Sequence, residues 1–303
     1  ARRASGRPPP HRSDTAAPTH AGQGGGPGER VRGAARALAS SQAPPRELTR
    51  CRGYHQTLMS ARSRTIESFD LPTGRRIAGK YIVEDKLGAG WEGEVYRVAE
   101  IGTGIHRAVK LFYPQRNEND EALRTYATKL DRLSDCRSVI RYHHTERFTF
   151  KGERITGLVS QLVHGRPLED LIRLQPGRRF RPFTAACLLH ALATAVVEIH
   201  DAGEYHGDLH EGNVLVARRG IRFQVHMVDM LATAKGVREG RRGDVLDLVR
   251  LFYESVGGKD RYPSQPQWVK DICRGLRRGL ILERFPTADA LRRHLERFEW
   301  DGR

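Results

Sequence analysis

The run Gly-Ala-Gly-Trp-Glu-Gly-Glu-Val at positions 88–95 spaces Gly88, Gly90, Gly93 and Val95 as G-x-G-x-x-G-x-V. It lies between two strand-like runs, not between a strand and a helix, so its glycines let the backbone of a hairpin close over phosphates. An ordinary flexible hairpin reads the same way. Lys110 follows Val95 by fifteen residues, at the end of Ala-Val-Lys in an apolar run. A lysine pointing from such a strand needs an anion, and nucleotide phosphates supply one. Positions 206–213 read His-Gly-Asp-Leu-His-Glu-Gly-Asn, and a later apolar strand ends in Val228 and Asp229. The Asp208 carboxylate in a short loop can accept a hydroxyl proton, Asn213 can ligate magnesium, and Asp229 can bridge that metal to phosphates. Asn and Asp are hard oxygen ligands of the kind Mg²⁺ takes.

The elements that hold these groups follow from the patterning. Residues 80–86 and 94–99 alternate in polarity and 106–112 is apolar and β-compatible, which predicts three antiparallel strands. Residues 117–133 predict a helix with Leu123, Tyr126, Ala127, Leu130 and Leu133 on one stripe. Two more strands are predicted over 139–150 and 154–162, and helices over 168–174, 184–202, 243–257, 268–282 and 287–298. A small β-rich lobe precedes a larger α-rich one.

Composition sets the outer bounds. A chain of 303 residues with 38% apolar content buries a sizeable core in one or two domains. The longest strongly apolar run, 183–199, contains His190 and Glu198 and falls short of the roughly 20 residues of a membrane span; it reads as a buried amphipathic helix. The net charge of +16 raises nucleic acid or an anionic membrane surface as a partner. Arginine makes up 44 of the 52 basic residues, however, which reads as a GC-rich coding bias, and no specific nucleic acid is expected. Cys51, Cys136, Cys187 and Cys273 form no C-x-x-C pair and no cluster with histidine, which argues against zinc and disulfide scaffolds and for a reducing cytoplasm. Residues 1–58 carry 8 Gly, 7 Pro and 10 Arg against 3 acids and cannot offset the entropy of ordering. They read as a disordered tail, or as an over-extended reading frame with Met59 the start. A linker over 59–79 and a folded unit over 80–298 follow, the latter divided into lobes at 80–160 and 164–298.

In this order and at these separations the motifs resemble the protein-kinase-like family over 80–298. The resemblance implies an α+β bilobal fold, with a small antiparallel β N-lobe and a mainly α-helical C-lobe, and ATP- and Mg²⁺-dependent transfer of a phosphoryl group to a hydroxyl. It implies that Lys110 holds the α and β phosphates, Asp208 is the catalytic base, Asn213 and Asp229 bind the metal, and His206 is structural. Residues 158–163 look like the hinge strand, with Ser160 as a small gatekeeper and Gln161 and Leu162 beside the nucleotide. Leu87, Val95, Ala108, Leu162 and Leu215 would then line an adenine pocket; plain core packing gives the same pattern. Residues 244–254 look like the family's central helix, and 284–288, Arg-Phe-Pro-Thr-Ala, like its terminal Arg-Pro-Thr-Ala signature.

Several features depart from the family. Met230 and Leu231 replace the Phe-Gly after the metal-binding Asp. His210 stands where Ser/Thr kinases carry lysine, a wording similar to aminoglycoside phosphotransferases, and an imidazole reaches a γ-phosphate as a cation only when protonated. The segment 229–244 has no Ala-Pro-Glu and a single hydroxyl, Thr233, so control by phosphorylating it is not expected. Tyr126 falls near the helix position that should give a glutamate to Lys110; Glu121, about 140° away around the helix, is the candidate partner, with Glu118 behind it. Glu92 puts an acid where phosphates would lie, unless it points to solvent or meets a cation. For the acceptor, a protein hydroxyl, as in a bacterial-type Ser/Thr kinase, ranks ahead of a small-molecule hydroxyl; a nucleotide-binding pseudokinase ranks third. The oligomeric state is not set by these motifs.

Overall fold

Alternating polarity along 81–100 gives a sheet one apolar face to cover, and the apolar run 106–112 needs cover on both, which the chain supplies from two sides. The computed structural model describes residues 65–220, 222–230 and 236–297. Strands β1 (Arg76–Ile77), β2 (Tyr81–Ala89), β3 (Gly93–Glu100), β4 (His106–Phe112), β5 (Tyr142–Phe150) and β6 (Glu153–Gln161) form one antiparallel sheet in the order β1-β2-β3-β4-β6-β5. The helix α1 (Glu121–Arg132) packs on β5 and β6. Its stripe of Leu123, Tyr126 and Leu130 is buried, as the spacing predicts.

The outer face of the sheet corrects the expected linker. Ile66, Phe69, Leu71 and Ile77 pack with Tyr81, Val83, Tyr96, Val98, Val109 and Leu111 in one apolar cluster. Glu94, only 1% exposed, ties this strap down. Its carboxylate accepts from the Ser68 hydroxyl at 2.8 Å and from the Phe69 and Asp70 amides at 3.2 Å each. It also accepts from the hydroxyls of Tyr96 and Tyr113 and pairs with Lys86. A strap with three bulky buried side chains and three hydrogen bonds to one buried carboxylate belongs to the N-lobe; periodicity over so short a stretch gives it no signal. The tail over 1–58 lies outside the described residues, as do 59–64.

The second lobe contains β7 (Arg166–Pro167), α2 (Leu168–Arg173), α3 (Pro182–Asp201), β8 (Val214–Arg219), β9 (Arg222–Met227), α4 (Val237–Ser255), α5 (Gly258–Arg261), α6 (Gln267–Cys273), α7 (Arg278–Arg284) and α8 (Ala288–Glu296). Helix α3 has the length and composition to cross a membrane, yet its Leu188, Leu189, Leu192, Val196 and Ile199 are core residues packed by α4, α8 and β9. The single helix predicted over 268–282 is two helices. Arg274, Gly275 and Leu276 between them take positive φ of 50°, 61° and 56°, which breaks the hydrogen-bond ladder. The three-stranded sheet β7-β8-β9 lies at the front of this lobe and carries the loops of interest at its ends.

Candidate functional site

A loop that offers Asp208 and Asn213 to a ligand must have its own backbone fixed, and the fixed point is Asp244 on α4. Its fully buried carboxylate accepts from the amides of His206 at 2.7 Å and Gly207 at 2.9 Å, while His200 Nε2 approaches it at 2.9 Å. Gly207 has φ +88°, which a side chain would resist. His206 is fully buried; its Nδ1 accepts from the Asp208 amide at 3.3 Å and its Nε2–H donates to the Val228 carbonyl at 3.1 Å. Burial pushes its pKa down to about 4, so the ring is neutral and joins the loop to the residue before Asp229.

Asn213 completes that stitching. Its Nδ2 donates to the Asp208 carbonyl at 2.9 Å and lies 3.4 Å from Asp208 Oδ2, and its own carbonyl accepts from the Val228 amide at 3.0 Å. With the amide nitrogen so used, the Asn213 Oδ1 is the end left to face a cation. His210 caps the turn after it, Nδ1 accepting from the Gly212 amide at 3.1 Å, and its Nε2 stands 3.8 Å from Asp208 Oδ2. A ring that accepts at Nδ1 is neutral, so the cationic contact expected of His210 requires breaking this cap.

Lys110 enters from β4. Its Nζ lies 2.9 Å from Asp229 Oδ1 and 2.7 Å from Glu92 Oε2, with the rings of Tyr126 and Phe112 at 4.9 and 5.3 Å. Burial pulls the ammonium's pKa down, but the Asp229 and Glu92 carboxylates outweigh it and hold it above its ordinary value. Neither Glu121 nor Glu118 is the partner: both are exposed, and the helix presents Tyr126 to the lysine instead. The helix's inward stripe is apolar, and both acids fall off it. The Tyr126 hydroxyl accepts from the Asp229 amide at 3.1 Å, and burial raises its pKa, so it stays a neutral phenol. Asp229 itself has φ +53°, a strained value for a residue with a side chain.

Leu87, Gly88, Val95, Ala108, Lys110, Ser160, Gln161, Leu162, Leu215 and Asp229 all line one cavity of about 170 Å³ between the lobes. Gly90 and Gly93 do not. A Cβ on Gly88 or Gly90 would meet nothing within 4 Å, so that ground is open to a ligand. At Gly93 a Cβ would sit 1.9 Å from the Leu111 carbonyl: this glycine is there because β3 crosses close to β4. A wider groove of about 740 Å³ runs beside α3 and β9, and no motif residue lines it.

With this geometry in view, residues 81–240, just over half of the chain, match the family model described as protein kinase domain. The chain belongs to the protein kinase family. Among relatives of this kinase chain, a Corynebacterium glutamicum protein named probable serine/threonine-protein kinase PknB is 27% identical over 147 residues, 48% of this chain and 22% of that protein. CBL-interacting protein kinase 1 of Oryza sativa subsp. japonica is 31% identical over 160 residues, 49% of this chain and 31% of its own length. The chain thus spans under a third of these curated relatives. The kinase domain of Mycobacterium tuberculosis PknI superposes with a TM-score of 0.53 at 20% identity, over 75% of this chain and 98% of that one, which shows the shared two-lobed fold.

Asp244 was visible in the sequence as the start of the central helix, but its role as the anchor of the loop was not. Tyr126 and Glu92 carried a signal each, an aromatic residue where an acid was expected and an acid where none was. Neither position reveals the other from sequence.

Proposed function

We propose that the chain is an ATP- and Mg²⁺-dependent phosphotransferase whose acceptor is a Ser or Thr hydroxyl of a protein. The observation that carries this is the contact of Lys110 on the small lobe with Asp229 on the large one, at 2.9 Å, on the wall of a cavity that also takes in Gly88 and the apolar side chains for a purine.

The residues fit the cofactor. Leu87, Val95, Ala108, Leu162 and Leu215 offer apolar surface to a base, Gly88 and Gly90 leave backbone room for phosphates, and Lys110 carries the cation they need. Among the described residues no three His, Cys, Asp or Glu side chains cluster as a metal site. Asn213 and Asp229 as the protein's ligands leave the other positions to phosphate oxygens and water, as magnesium prefers. When bound, Mg²⁺ neutralises charge on the phosphates. Lys110 would orient and stabilise the same charge, and Asp208, its backbone pinned through His206 and Gly207, would orient the acceptor hydroxyl and take its proton.

A second reading, transfer to a small-molecule hydroxyl, is favoured by the brevity of the chain between Asp229 and α4 at Val237, which gives a peptide little surface there. Among the described residues Cys136, Cys187 and Cys273 are free thiols, which suits the cytoplasm. The test is transfer of labelled phosphate from ATP by the full chain, beside Asp208→Ala, into a protein mixture and into a panel of hydroxylated small molecules. Transfer into Ser or Thr, reduced about 10²- to 10⁴-fold by Asp208→Ala, is the expected result. Transfer to small molecules alone would establish the second reading.

A further inference from the structure

A lysine that must hold phosphates needs a carboxylate of its own, because Asp229 is also wanted by the metal. We propose that Glu92, on the glycine hairpin, is this positioning partner of Lys110, so that α1 contributes no acid to the site and its placement does not set the lysine. The inference rests on the phosphotransferase reading and adds to it where control of the site resides.

Three observations converge. Glu92 Oε2 lies 2.7 Å from Lys110 Nζ, a charge-assisted hydrogen bond by distance. The residue is fixed on the sheet that carries the lysine: its carbonyl accepts from the Tyr113 amide at 2.9 Å, just past the end of β4, and the Gly90 amide closes the turn on the Gly93 carbonyl at 2.8 Å. Gly93 permits the close crossing with Leu111 that brings Glu92 within reach. Finally, the helix position that faces Lys110 is filled by Tyr126, whose hydroxyl is engaged with the Asp229 amide. Glu121 shares a recess with Glu92 at the hairpin tip, but its side chain does not pair with the lysine.

The consequence is mechanical. A lysine on a strand and a carboxylate on a hairpin of the same sheet keep their pairing when a helix moves, whereas a pair split between strand and helix separates with it. The helix keeps one link to the site, Tyr126 to the backbone of Asp229. Two of the three ammonium N–H groups are taken by Glu92 and Asp229, leaving the third for a phosphate oxygen.

The experiment measures affinity of the full chain for a fluorescent ATP analogue with magnesium, along with phosphate transfer and melting temperature, for the parent, Glu92→Gln, Glu121→Gln and Glu92→Gln/Tyr126→Glu. The expected result is roughly ten- to hundredfold weaker binding in Glu92→Gln, with an unchanged melting temperature, a twofold change at most in Glu121→Gln, and partial recovery in the double variant. Unchanged binding in Glu92→Gln, or a loss of equal size in Glu121→Gln, overturns the proposal. Tighter binding in Glu92→Gln also overturns it, by showing that Glu92 occupies the phosphates' ground. A parent that binds the analogue but never transfers phosphate refutes the phosphotransferase reading alone, since the affinity comparison still stands. A parent that binds no nucleotide refutes both.

Discussion

Glu92 and Glu94 stand two residues apart around the start of β3, yet one faces the cleft and the other the outer core. Glu94 is buried among hydroxyls, amides and a lysine, and three of its contacts, to Ser68, Phe69 and Asp70, hold the strap of 66–71 on the sheet. Glu92 is part-exposed and meets a single cation, Lys110, itself held by a second carboxylate. The same side chain is thus structural where its partners are spent on one another. It is available for chemistry where a partner retains a free donor.

The largest separation of the two should come from truncation. Glu94→Ala leaves buried donors without an acceptor and should cost about 3–5 kcal/mol of stability, measured by denaturant unfolding. Glu92→Ala should cost no more than about 1 kcal/mol by the same measurement, as partly exposed pairs do. Equal losses would erase the distinction between the two acids.

Acid should divide the lobes. His206 titrates near 4 in the fold against an ordinary 6.5, so its neutral form stabilises the protein above 6.5 and that contribution is lost as pH falls from 6.5 toward 4. The loss should approach about 3 kcal/mol by the lower limit. Burial drives the Glu94 pKa up, but hydrogen bonds from Tyr96, Lys86 and Ser68 outweigh it and leave the value lowered. Its contribution is present above the ordinary glutamate range and lost only below it, as pH falls through the folded value. Unfolding followed against pH should therefore show the C-lobe weakening first; an onset below the ordinary glutamate range for both lobes would refute the buried neutral His206.

Smaller effects sharpen the contrast within the cleft. Tyr126→Phe removes the acceptor of the Asp229 amide at a cost of about 0.5–1.5 kcal/mol, and should raise the magnesium concentration needed for half-maximal nucleotide binding several-fold. His210→Ala should be milder, about 1 kcal/mol at most for a lost cap, with a rate change well below that of Asp208→Ala.

Much of this site was legible in one dimension. The glycine hairpin, Lys110, Asp208, Asn213 and Asp229 were placed by residue type, spacing and strand context, because phosphate chemistry restricts which side chains serve at each step. Ten of the residues that line the cavity were among those named, while others, such as Ile140 and Pro167, were not. The helix partner was not legible: the sequence offers Glu121, with Glu118 behind it, as the candidate acid, and the structure puts a hairpin residue, Glu92, beside the lysine instead. The strap was missed for a related reason, since Ile66, Phe69 and Leu71 show no regular period and the segment is held through Ser68, Phe69 and Asp70 by a glutamate 24 or more residues away.

The sequence by itself determined the two lobes, the order of the motifs and the chemical character of the cleft, since these depend on local period and on residue type. Only the tertiary structure decided which acid serves which cation. Along a regular strand, residues 92 and 94 share a face, and strand parity would send both to the same side. The hairpin turn ends at Gly93, where β3 presses against the Leu111 carbonyl, and this local break in period turns Glu92 toward Lys110 while Glu94 stays with Tyr96 in the outer core. That reversal depends on a contact between two strands, which no spacing along one of them contains.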